Sequence, residues 1–126
     1  MMTSPGNWEV DAWDEAYGGL HKPLIMATYN DYPDSVVNNA KRGIELNERV
    51  NNRCATQVGK VRAQQLANRE PVSVETIQRM YSYLSRAEAY YNDNDTEACG
   101  TISFLLWGGL AGKRWATAKL RELKLI

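Results

Sequence analysis

The sequence is poor in the residues that most site chemistry needs. Among 126 residues it has one histidine, His21, and two cysteines, Cys54 and Cys99. Neither a CxxC pair nor an HExxH run occurs, so a zinc site lacks ligands at workable spacing. Nucleophilic catalysis needs a base within reach of the nucleophile and a group to orient that base. His21 sits beside Lys22-Pro23 and reads as a surface or loop histidine. No catalytic residue, metal or cofactor is therefore assigned, and the chain is expected not to be an enzyme. The acids of "DNDTE" (Asp93, Asp95, Glu97) lack the flanking glycine and distant glutamate of a calcium loop and read as a solvated turn. Long apolar runs are missing as well. No segment reaches the length needed to span a bilayer, so no membrane partner is expected. The opening "MMTSPGNWEV" has no basic flank and no apolar stretch, which argues against a signal peptide. Without a secretory signal, both cysteines are read as reduced thiols.

Net charge is also missing. The formal total is zero, which argues against a protein that coats nucleic acid, since such domains are strongly basic. The zero hides an asymmetry. Residues 1–35 hold six acids (Glu9, Asp11, Asp14, Glu15, Asp31, Asp34) against Lys22 alone, a net of −5, and the rest of the chain carries the balancing +5.

What is present is 44% hydrophobic residues, enough for a real core in a chain of single-domain length. Residues 1–32 mix Gly, Pro, Asn and Asp with Trp8, Trp13, Tyr17, Tyr29 and Tyr32, without a sustained helical period. They read as an extended, acidic, aromatic arm, and Trp8, Trp13, Tyr17 and Tyr29 are the candidate partner-binding residues. Residues 33–126 read as a helical domain. Val36, Val37, Ala40 and Ile44 recur at helical spacing behind Pro33, with Asp34 or Ser35 as cap. "KVRAQQLANRE" predicts a short helix with Val61, Leu66 and Ala67 inward and Lys60, Arg62 and Arg69 outward, stopped by Pro71. Ser73 stands in N-cap position before the stripe Val74, Ile77, Met80, Tyr81, Leu84 and Ala87, and Glu75 lies in the first turn, where the helix dipole favours an acid. A short apolar helix over Thr101–Trp107 and a basic one from about Ala111 to Leu125 complete the set. The fold class is mainly α: a small domain of four to five helices with an extended N-terminal arm.

The most apolar run, "CGTISFLLWGGLAGKRWATAKL", superficially resembles a phosphate-binding loop. A Walker loop needs GxxxxGK[ST] after a strand; here Gly108 to Gly112-Lys113 is too short, Arg114 replaces Ser or Thr, and a helix precedes it. The run reads better as a corner: Gly108-Gly109 reverses the chain in a left-handed conformation, Gly112 permits close approach, and Trp107 and Trp115 clamp the bend. "KVRAQQLANREPVSVETIQRM" has a helix-break-helix outline, so Lys60, Arg62, Lys113, Arg114 and Arg121 are the candidate nucleic-acid contacts. The competing account is that these cations lie on solvated faces.

Four segments, "YPDSVVNNAKRGIELNE", "CATQVGKVRAQQLANREPVSVETIQRMYSYLSRAE", "CGTISFLLWGG" and "RWATAKLRELK", together resemble a small helical module of tailed bacteriophages. That module stands alone or is appended to prohead proteases and other head-associated virion proteins. The resemblance covers residues 29–125; Ala87 departs from it, standing where relatives carry a His or basic residue. It implies a structural protein found in the virion and made in the host cytoplasm, which binds other virion proteins as multiple copies in an assembly. The alternatives are a phage-encoded DNA-binding or regulatory protein, or an inhibitor of a host defence protein.

Overall fold

A computed structural model describes residues 27–126. Five helices make up the domain: α1 (Asp34–Arg49), α2 (Gln57–Ala67), α3 (Val74–Ala87), α4 (Cys99–Leu106) and α5 (Gly109–Glu122). Two short strands, β1 (Thr28–Tyr29) and β2 (Val72–Ser73), pair antiparallel with Thr28 opposite Ser73 and Tyr29 opposite Val72. A turn of 3-10 helix, Glu88–Tyr90, continues α3. The fold is mainly α. The arm proper, including Trp8, Trp13, Tyr17 and His21, lies outside the described residues.

The helices form where local chemistry favours them. Ser73 Oγ accepts from Thr76 N–H at 3.1 Å and caps α3, with Glu75 in the first turn. Thr56 caps α2 in the same way, through Gly59 N–H at 3.1 Å. At the start of α1 the predicted side-chain cap is absent. Pro33 occupies the cap position, and Asp34 sits inside the first turn, ion-paired with Arg69.

One core joins all five helices. α1 gives Val36, Ala40 and Leu46, α2 gives Ala63 and Leu66, and α3 gives Ile77, Met80 and Leu84. α4 adds Ile102, Phe104 and Leu106, and α5 adds Trp115, Ala116 and Leu120. Each large apolar side chain buried this way contributes about 1.5–3 kcal/mol. α3 lies along α5, and α1 packs against α4 and α2. The α1–α4 approach is close enough to require glycine: a Cβ on Gly43 would stand 2.8 Å from Leu106 N.

The tryptophan-glycine corner forms as expected. Gly108 and Gly109 both have positive φ, 110° and 66°, and link α4 to α5. A Cβ on Gly112 would meet Trp107 O at 3.1 Å, so the last helix turns back tightly on the corner. Trp107 and Trp115 are both buried.

Two expectations need correction. First, Cys54 and Cys99 form a disulfide, with Cα atoms 4.8 Å apart. It ties the loop after α1 to the N-terminus of α4, so the cysteines are not the reduced thiols expected. Second, α2 turns Leu66 and, in part, Ala67 inward as expected, but not Val61. Val61 is exposed while Arg62 is buried, because the guanidinium lies over the Trp107 ring at 5.3 Å. Tyr32, counted with the arm in the sequence, packs into the core. Tyr32 is only 1% exposed, meets Trp115 edge-on at 5.1 Å, and donates from its hydroxyl to Glu70 O at 2.7 Å. Arg69 donates to Tyr32 O and its guanidinium lies over the Tyr32 ring at 5.5 Å.

Candidate functional site

Helical periodicity divides α5 into two sides. Gly112, Trp115, Ala116, Lys119 and Leu120 are buried, whereas Leu110, Arg114, Thr117, Ala118 and Arg121 recur on the opposite side at three- and four-residue spacing. This outer side is the floor and one wall of a groove of about 390 Å³. Glu88, from the turn after α3, supplies the other wall and ion-pairs with Lys113. Thr117 donates its hydroxyl to Lys113 O at 2.7 Å.

Two exposed cations in this groove, Arg114 and Arg121, have no ion-pair partner among the described residues. Seven residues separate them, so they lie about 10 Å apart along the helix axis. Arg121 also sits in the last turn, where the helix dipole favours a positive charge. Leu110 and Ala118 place apolar surface in the same groove. The groove can therefore hold anionic groups around an apolar one. Its titratable members are a carboxylate, an ammonium and two guanidinium groups, with no thiol or imidazole.

The buried side of α5 holds the opposite arrangement, a cation whose acids are supplied. Lys119, 5% exposed, donates to Asp31 at 2.8 Å, pairs with Glu122 at 3.4 Å, and stands 4.6 Å from the centre of the Tyr29 ring. Burial disfavours the ammonium charge, but Asp31 and Glu122 outweigh it and raise the Lys119 pKa above its ordinary value. The hydrogen bond from Lys119 holds the Asp31 carboxyl below the usual carboxylate range against the opposing effect of burial, and Trp115 Nε1–H assists at 3.2 Å.

The predicted site residues thus separate. Lys113, Arg114 and Arg121 converge on one groove. Lys60 is on α2, lining a different concavity with Val61 and Gln64. Arg62 is buried among protein groups: Nη1 donates to Gln65, Nε has no partner, and burial, reinforced by the charge of Arg79, lowers its pKa. Tyr29, predicted to reach a partner, packs half-buried against its own core. Trp8, Trp13 and Tyr17 lie outside the described residues. Sequence reasoning missed Leu110 and Glu88 as parts of the site and missed the burial of Lys119. The last was detectable, since Lys119 falls four residues after Trp115, in register with the apolar side of α5.

Among the described residues, no three His, Cys, Asp or Glu side chains cluster as a metal site, and no helix is long and apolar enough to cross a membrane. No family model, curated protein or solved structure matches the chain.

Proposed function

We propose that this chain is a non-catalytic helical module of a tailed bacteriophage particle, head-associated, which binds other virion proteins during assembly or stabilisation. The observation that carries the reading is the α5 groove, where Arg114 and Arg121, outside every ion pair among the described residues, share a surface with Leu110 and Ala118. Such a surface suits a polypeptide partner: apolar contact supplies binding energy, and the charges select the partner and its orientation. The resemblance noted in the sequence supports the choice of partner class, because its four segments coincide with the elements of a single packed core: α1, α2 through α3, α4 with its corner, and α5. Mass spectrometry of purified virions is the test. The protein is expected at a fixed copy number per particle; its absence from particles would refute the assignment.

The DNA-binding alternative is less well supported. Of the five candidate contacts only three share a surface, and Arg62 is buried. A helix-turn-helix reading would make α3 the recognition helix, yet its exposed Arg79 is paired with Glu75 at 3.1 Å. Duplex binding that weakens steeply as salt rises would favour that alternative instead.

A further inference from the structure

We propose that the α5 groove is the receptor for the acidic N-terminal segment of a second copy of this chain. The idea rests on the binding-module reading and deepens it by naming an occupant. Residues 9–15 hold Glu9, Asp11, Asp14 and Glu15 with no base, and Trp13 lies among them with Trp8 just ahead. The groove presents the complement: two guanidinium groups with no ion-pair partner among the described residues, about two helical turns apart, with Ala118 between them and Leu110 one turn before Arg114. Guanidinium forks match carboxylates closely, and an indole is the side chain that gains most from a half-open apolar floor. A phosphate backbone would satisfy the charges but leave that apolar surface uncovered.

The topology makes exchange between copies practicable. The segment joins the body at β1, where Tyr29 lies under Lys119 of the same helix that carries the groove. Every copy therefore carries both the acidic segment and the groove. A one-way contact of this kind generates rings or chains, and a reciprocal exchange closes a pair.

The experiment uses the full chain and two charge-reversed variants, R114E/R121E and D11R/D14R. Arg114 and Arg121 are exposed, so circular dichroism is expected to show R114E/R121E folded, and the same measurement checks D11R/D14R. In analytical ultracentrifugation the wild-type chain is expected to self-associate with rising concentration, and to do so less at about 1 M salt than at about 0.1 M. Each variant alone is expected to lose association at least roughly tenfold. Mixed together they are expected to associate again, since each then offers the charge the other lacks. A wild-type chain that stays monomeric at all concentrations overturns the proposal, as does a mixture that fails to associate. Duplex DNA binding that R114E/R121E abolishes, without self-association, also overturns it and gives the groove to nucleic acid. These failures are distinguishable from failure of the virion reading, which shows only in the composition of particles.

Discussion

Breaking the Cys54–Cys99 bond gives the sharpest measure of what holds this fold together. The two residues are separated by 45 positions. Closing a loop of that length removes roughly 13 cal/mol/K from the unfolded chain, or about 4 kcal/mol at room temperature, on the loop-entropy account. The lost packing adds little, because Cys54 is half-buried and Cys99 exposed. The bond is also the covalent link between the α1–α2 loop and α4, so its loss frees two loops at once. For a domain of about 100 residues, 4 kcal/mol corresponds to a fall of roughly 20 °C in the thermal midpoint. The assay is urea or thermal unfolding of the oxidised protein, the protein under reductant, and a C54S/C99S variant. The last two are expected to coincide. Thiol titration of the untreated, denatured protein is expected to find no free thiol. Two free thiols, or a variant within about 1 kcal/mol of wild type, would refute the reasoning.

Other outcomes follow from single contacts. Trp107→Ala should cost about 3–5 kcal/mol in urea unfolding, because the ring stacks on Tyr83 at 4.9 Å and supports the buried guanidinium of Arg62; a small change would place the tryptophan outside the core. Gly43→Ala should cost about 3 kcal/mol, since the new methyl group meets backbone of α4 that cannot rotate away. Asp31→Asn should destabilise at neutral pH by about 1 kcal/mol, a value held down by solvent around a carboxylate that is 60% exposed. Because the Asp31 pKa is lowered on folding, its contribution is present above the ordinary value of 3.8 and fades as pH falls through the folded value. Thermal melts of wild type and variant should therefore converge in acid. Tyr32 behaves in the other direction. Burial pushes its pKa up to about 12, so its share of stability is lost as pH rises from 10 toward that value, and phenolate absorbance should report the late titration.

The parts of the fold legible in the sequence were those written in short-range chemistry. Ser73 as cap, the apolar stripe of α3 and the Gly108-Gly109 reversal all depend on neighbours a few residues apart. The parts that were not legible depend on distant partners. α2 carries apolar residues on more than one face, and which face turns inward is settled by Trp107, some forty-five positions further on, accepting Arg62 over its ring. Val61 consequently remains outside. The disulfide was hidden because cysteine reactivity was inferred from the chain's opening residues rather than from the geometry that brings Cys54 and Cys99 together. Lys113, Arg114 and Arg121 were visible as candidates, since a basic helix is obvious by composition. That Glu88 closes their groove depends on how α3 lies against α5.

The way Tyr29 to Tyr32 is fastened has a mechanical consequence. Tyr29 is hydrogen-bonded into a two-residue ladder, Asp31 is gripped by Trp115 and Lys119, and Tyr32 is locked between α2 and α5. A pull arriving from the N-terminal side would thus meet three fastenings in series, the first to β2 and the next two to α5 and the end of α2, before α1 was drawn on. A tether built this way can be strained by a neighbour without unravelling the body to which it is attached.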